Sequence, residues 1–195
     1  MTNRAFIIHG YLSNPEEAWL PWLKDKLEKR GYLVSSPAMP RPNEPIISEW
    51  INFIAELVGE PDEMTFLIGH SLGCQAILRY LETVGAVGKS VARTVLVAGT
   101  FPVGRSKAEA ATETGGVSVL VPWFSLGIDP GKTKRAAGQC TVILSDSDPY
   151  IAVEREEATF RTMLNPRIVI VDGQGHFNED DRVTELPAAL EAVIA

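Results

Sequence analysis

Residues 64–73 read MTFLIGHSLG, and their pattern is the strongest indication of the fold class in this sequence. The apolar run at 64–68 predicts a buried strand, and the apolar pattern from Leu72 to about residue 83 predicts a helix. Between them lies a G-x-S-x-G motif centred on Ser71, which is typical of a very sharp turn from strand to helix. Side chains at 69 and 73 would collide with the neighbouring strand and helix, which explains the glycines. The Ser71 hydroxyl should therefore stand exposed at a helix N-terminus.

Outward from this turn, apolar runs alternate with helical patterns along the whole chain. Further strands are expected at 5–9, 32–35, 93–98, 140–144 and 167–171, and further helices at 16–30, 47–58, 151–164 and 183–194. This alternation predicts an α/β fold with about six mostly parallel strands and helices on both faces of the sheet. We expect one domain over residues 1–195, in which the irregular segment 99–138 is a candidate for a small lid.

A histidine base for Ser71 is found by chain order. The chain has three histidines, and folds built around such a turn place their residues in the order serine, acid, histidine. His176 fits this order, because it lies in a glycine-containing loop after the last strand. His70 adjoins the nucleophile on the sharp turn and is expected to point away from it.

The acid should follow the strand at 140–144, where Asp146 and Asp148 compete. Asp148 is favoured, since it lies further into the loop and Pro149 fixes the backbone that follows it. Asp146 remains the alternative, and the aspartate not used as the acid would serve as a turn residue. The two aspartates do not suggest a metal site, because suitable further ligands are missing nearby.

Two backbone N–H groups are candidates for stabilising an oxyanion. One belongs to Leu72, in the first turn of the helix, and the other to Tyr11, in the loop after the first strand. His9 is expected to support that loop through a hydrogen bond to its backbone. Candidate residues of an apolar substrate pocket are Tyr11, Leu12, Trp123 and Phe124, although Trp123 and Phe124 fit the core of a lid equally well.

These motifs together resemble a known family, the small serine hydrolases related to the retinoblastoma-binding serine hydrolase of vertebrates, which has many bacterial relatives. The resemblance covers most of the chain and includes Gly69-His70-Ser71, the Asp148-Pro149 step and Gly175-His176-Phe177. It implies a compact α/β-hydrolase fold with Ser71 as nucleophile, Asp148 as acid and His176 as base. The segment 99–138 is longer than the family leads us to expect.

Composition narrows the classes of partner. The formal net charge is -7, which disfavours binding to nucleic acid, and no apolar run is long enough to predict a membrane span. Two cysteines and the absence of a signal-peptide pattern predict a reduced, cytoplasmic protein. We expect no cofactor and no metal, and the sequence does not indicate a protein partner.

The sequence thus predicts a serine hydrolase that cleaves small carboxylic esters through an acyl-enzyme, with amides and thioesters as alternative substrates. A different class is also open, namely a binding protein that keeps the fold with an idle triad. A haloalkane dehalogenase is disfavoured, because those enzymes carry an aspartate at the turn where this chain has Ser71.

Overall fold

The computed structural model of the protein describes residues 2–195, in which six strands form one parallel sheet in the order β2-β1-β3-β4-β5-β6. The strands are β1 (Arg4–Ile8), β2 (Leu33–Ser35), β3 (Thr65–His70), β4 (Arg93–Val97), β5 (Gln139–Ser145) and β6 (Arg167–Val171). The α/β class and the parallel sheet of six strands are therefore confirmed.

The helices connect these strands. They are α1 (Leu20–Glu28), α2 (Ile47–Val58), α3 (Leu72–Ala86), α4 (Lys107–Glu113), α5 (Val121–Ser125), α6 (Pro130–Ala136), α7 (Val153–Met163) and α8 (Pro187–Ile194). Within the described part of the chain, no helix is long and apolar enough to cross a membrane.

Two apolar layers cover the two faces of the sheet, and alternate strand residues point into each. In β1, Phe6 and Ile8 pack with the side chains of α2, α3, α6 and α7. Ala5 and Ile7 pack on the opposite face with those of α1 and α8. Because both faces are covered, the strands are mostly apolar, and polar loops follow their carboxyl ends.

The segment 99–138 is not irregular as the sequence suggested, since it contains α4, α5 and α6. Helix α6 packs tightly on α3, where a Cβ placed on Gly85 would lie 2.0 Å from the Lys132 carbonyl oxygen. This contact needs glycine at a helix position that otherwise disfavours it. Helices α4 and α5, with the short 3-10 turn at 118–120 between them, form a cap above the carboxyl ends of the strands.

Charged side chains attach the cap to the body of the protein. Arg79 of α3 is buried and donates to the backbone oxygens of Trp123 and Leu126 at 2.7 and 2.6 Å. Arg105 contacts the carboxylates of Glu113 and Glu156 at 2.6 and 3.0 Å. Glu156 is fully buried, so its carboxylate depends on pairing with Arg105, and Arg105 in this way links Glu113 of the cap to α7.

Candidate active site

Three loops at the carboxyl edge of the sheet bring the predicted polar residues together. Ser71 directly follows β3, Asp148 follows β5 and His176 follows β6. Parallel strands end at the same edge, so residues far apart in the chain meet there, at the place where α/β folds usually bind ligands.

The turn at Ser71 has the strained geometry that the motif predicts. Ser71 has φ 53° and ψ -119°, and its N–H donates to the Val97 carbonyl at 2.9 Å. A Cβ on Gly69 would lie 2.9 Å from the Cys74 nitrogen, and a Cβ on Gly73 would lie 2.3 Å from the Ile8 oxygen. Close backbone packing therefore holds the serine in the left-handed region, which a non-glycine residue adopts only at a cost.

Ser71, His176 and Asp148 form a continuous chain of hydrogen bonds. The Nε2 atom of His176 lies 2.8 Å from Ser71 Oγ, and its Nδ1 atom lies 2.8 Å from Asp148 Oδ2. Since the carboxylate only accepts, Nδ1 carries the proton of a neutral ring and Nε2 has a free lone pair toward the serine hydroxyl. This tautomer is the one able to remove a proton from Ser71.

Asp148, and not Asp146, reaches the histidine. The second oxygen of Asp148 accepts from the N–H groups of Tyr150 and Ile151 at 2.9 and 3.2 Å, which orients the carboxylate. Asp146 instead accepts from the Gly173 N–H at 2.8 Å and serves as a turn residue between two loops. The position of Asp148 before proline, which favoured it in the sequence, belongs to this turn.

The loop that carries His176 is held by side chains that sequence analysis did not identify. Asp181 accepts from the His176 N–H at 2.6 Å. Ser145 and Ser147, at the end of β5, accept from the N–H groups of residues 174 and 175 at 3.0 and 3.1 Å. Small polar residues in loops are too common to single these out in a sequence, and only the assembled loops reveal their role.

His70 also holds this loop, a role that its expected direction away from the nucleophile did not suggest. Its Nε2 atom lies 2.8 Å from the backbone oxygen of His176 and must carry a hydrogen, because a carbonyl only accepts. Burial, and secondly the nearby His176 ring, lower the pKa of His70 to about 4. His70 is therefore a neutral donor at pH 7, fixed under the loop.

The two candidate oxyanion donors flank Ser71. The Leu72 N–H lies in the first turn of α3, where backbone donors have no partner within the helix. Gly10 lies very close to the nucleophile, since a Cβ on Gly10 would be 2.9 Å from Ser71 Cβ. The peptide bond between Gly10 and Tyr11, which carries the Tyr11 N–H, therefore lies beside Ser71.

His9 orients that peptide. Its Nδ1 atom lies 2.9 Å from the Gly10 oxygen, and its Nε2 atom accepts from the Met39 N–H at 2.9 Å. The ring must be neutral with the proton on Nδ1 to satisfy both contacts, and burial lowers its pKa accordingly. Because C=O and N–H point in opposite directions across a trans peptide, anchoring the Gly10 oxygen also sets the direction of the Tyr11 N–H.

A cavity of about 800 Å³ opens over Ser71 and His176. Its walls include three of the four predicted pocket residues, Tyr11, Leu12 and Phe124. Trp123 does not line it. The Trp123 ring is fully buried, packs edge-on against Trp50 and donates to the Pro45 oxygen at 3.1 Å. Of the two roles that the sequence left open for Trp123, pocket residue and core residue, the structure favours the core, because so large an apolar ring is better satisfied there and its N–H also finds a partner.

The described residues, 2–195, contain no group of three or more histidine, cysteine, aspartate or glutamate side chains arranged to hold a metal ion. Cys74 lies beneath the nucleophile, and burial raises the pKa of its thiol. It packs so closely on Gly99 that a Cβ there would lie 2.5 Å from Cys74 Cβ. Cys74 is thus a small core residue.

The amino-acid sequence of the chain is similar to those of known hydrolases. The model of the serine hydrolase family matches residues 5–194. YdeN of Bacillus subtilis strain 168, a protein named as a hydrolase, is 28% identical over 193 residues, which cover 99% of this chain and 95% of YdeN.

Two solved structures show the same fold. The crystal structure of the B. subtilis ydeN gene product matches with a TM-score of 0.83 and 27% identity, over 97% of this chain and 96% of that one. Est1E from Butyrivibrio proteoclasticus matches with a TM-score of 0.73 and 15% identity, over 98% and 85% of the two chains. The fold is therefore that of the α/β-hydrolases, and the chain belongs to the serine hydrolase family.

Proposed function

We propose that the protein hydrolyses small carboxylic esters through an acyl-enzyme formed on Ser71. The observation that carries the proposal is the continuous hydrogen-bonded chain from Ser71 through His176 to Asp148. In this mechanism His176 takes the hydroxyl proton as Ser71 attacks the ester carbonyl, and then gives that proton to the leaving alcohol. Asp148 holds the ring in the required tautomer and stabilises the imidazolium form.

The tetrahedral intermediate would be stabilised by backbone donors. The Leu72 and Tyr11 N–H groups are the candidates, one from the helix N-terminus and one from the loop oriented by His9. Water then attacks the acyl group with His176 as base, and the acid is released with Ser71 restored. No metal or cofactor takes part in these steps.

The charge of the cavity favours neutral substrates. Three acidic residues, Glu17, Glu179 and Asp180, lie in its walls. Among the described lining residues the arginine is Arg155, and its charge is paired with Glu113. Carboxylates raise the cost of bringing in an anion, so thioesters of anionic coenzymes should be poor substrates. The apolar side chains of Leu12, Leu120 and Phe124 suit a short acyl chain.

Labelling with a fluorophosphonate tests the nucleophile. We expect one adduct, mapped to Ser71 by mass spectrometry, with no adduct in Ser71→Ala and a strongly reduced labelling rate in His176→Ala. Ser90→Ala is the matched control, since that serine is exposed and precedes β4, at the opposite edge of the sheet from Ser71. An unlabelled wild-type protein with a normal circular dichroism spectrum would favour a binding protein with an idle triad.

A further inference from the structure

Gln75 is a polar residue in an otherwise apolar part of the cavity floor. It lies on α3 one helical turn after Ser71, within the run Leu72–Leu78 whose other members are apolar or small. Its side chain is 1% exposed to solvent and lines the cavity. An amide at such a position costs stability unless its hydrogen-bonding groups are satisfied.

The hydrogen bonds of Gln75 are incomplete. Nε2 donates to Thr100 Oγ1 at 2.8 Å, but within residues 2–195 no group donates to Oε1. Among the buried side-chain atoms left without a partner in this range, only those of Gln75 and Glu113 belong to cavity-lining residues. The Glu113 carboxylate is paired with two arginines, Arg105 and Arg155, so its charge is compensated. The Gln75 amide oxygen has no such compensation.

Thr100 completes a two-residue arrangement. It follows β4, is half-buried and also lines the cavity. Because its oxygen accepts from Gln75, its hydroxyl hydrogen is left for another acceptor. If the amide oxygen and nitrogen are exchanged, Thr100 donates to Oε1 and both hydrogens of Nε2 are left without an acceptor instead. Both arrangements give the cavity an unused hydrogen-bond donor beside apolar walls.

We propose that Gln75 and Thr100 form a subsite for a hydroxyl group on the acyl chain of the substrate. The proposal rests on Ser71 being the nucleophile, as proposed above. Residues one turn apart share a helix face and are separated by about 5 Å along the axis, so a hydroxyl on the third to fifth carbon of the acyl chain could reach the pair. The substrate class is therefore an ester of a short hydroxylated acid, whose carbon chain contacts Leu120 and Phe124.

Matched phenyl esters test this subsite directly. The 3-hydroxybutanoyl and 3-methylbutanoyl esters have nearly the same shape, as do the 5-hydroxyhexanoyl and 5-methylhexanoyl esters, and each pair differs by a hydroxyl against a methyl group. We expect the wild-type protein to prefer the better hydroxy enantiomer in at least one pair by about tenfold or more in kcat/KM, because a methyl group leaves the buried amide and hydroxyl unpaired.

Two variants assign the preference to the subsite. Gln75→Leu and Thr100→Val should each bring the ratio within about threefold of one, because they remove polar groups with little change in volume. Gln139→Leu, an exposed position at the start of β5, is the matched control and should keep the wild-type ratio. Thermal melting checks folding, and Thr100→Val decides the outcome if Gln75→Leu does not fold.

Different experimental results would overturn the hydroxyl subsite and the proposed esterase function. A wild-type protein that is labelled on Ser71 and hydrolyses the esters, but with ratios near one in both pairs, would overturn the hydroxyl subsite and leave the esterase proposal intact. A preference that survives in both variants would overturn it as well. A wild-type protein that is neither labelled nor active would overturn the proposed function.

Discussion

His9→Asn and His9→Gln separate catalytic positioning from simple stability. The Asn amide nitrogen can take the place of Nδ1 and still donate to the Gly10 oxygen, whereas the Gln amide oxygen can take the place of Nε2 and still accept from the Met39 N–H. Each variant keeps one of the two 2.9 Å hydrogen bonds. Each should therefore lose a similar free energy of unfolding, about 1 kcal/mol for the missing bond.

The catalytic effects should differ, since only the bond to Gly10 sets the direction of the Tyr11 N–H. Loss of a whole oxyanion donor costs about 100- to 1000-fold in kcat. The loop keeps a second anchor, the Leu12 N–H to the Pro42 oxygen at 2.9 Å, so we expect His9→Gln to lose about 10- to 100-fold in kcat with little change in KM.

Steady-state kinetics on p-nitrophenyl butanoate, together with urea unfolding, measure both quantities. His9→Asn should keep kcat within about threefold of wild type. Equal losses of kcat in the two variants would refute the positioning role and leave His9 as a structural residue only.

Three other changes probe the cavity wall, a buried histidine and the cap. Phe124→Ala should shift the acyl-chain-length preference on p-nitrophenyl esters. Trp123→Ala should leave that preference unchanged and lower the free energy of unfolding by about 3–5 kcal/mol. A shifted preference in Trp123→Ala would show that Trp123 contacts the substrate. Native His70 stays neutral down to about pH 4, whereas the unfolded chain binds this proton near pH 6.5, so stability should fall with decreasing pH between these values, by about 1.4 kcal/mol per pH unit. Urea unfolding of His70→Gln should give a shallower slope between pH 6.5 and 5, and an unchanged slope would contradict the assignment. Glu156→Gln leaves the buried Arg105 with a weaker set of partners and should cost about 2–3 kcal/mol in urea unfolding; a loss below about 0.5 kcal/mol would show that this ion pair does not hold the cap.

The regular part of the fold could be predicted because its signals are local. The apolar runs of the central strands and the pattern of α2 depend on near neighbours in sequence, and α2 and β6 occupy the expected ranges, 47–58 and 167–171. The cap could not be predicted in this way. Helices α4, α5 and α6 are 5–7 residues long, too short for a clear helical period, and they depend on contacts with α3 and α7.

The residues of the candidate site also differ in whether local sequence is enough to predict them. Ser71 belongs to a motif whose glycines serve the turn itself, and chain order restricts the choice of base to His176. The supporting residues are different, because His70, Ser145 and Ser147 contact residues that are 28 to 106 positions away in the sequence. The sequence shows His70 only as the neighbour of Ser71 on the turn, which does not reveal its contact with the backbone of a loop 106 residues away.

Trapping the acyl-enzyme is the most direct test of the proposed role of Ser71 as the nucleophile. Wild-type protein and Ser71→Ala would be mixed with p-nitrophenyl acetate, quenched in acid at successive times and digested for peptide mass spectrometry. We expect an acetyl group on Ser71 of the wild-type protein that rises with the first turnover, and neither adduct nor turnover above background in the variant. Hydrolysis that proceeds with no acyl group on Ser71 at any time, or that persists in Ser71→Ala, would contradict this role.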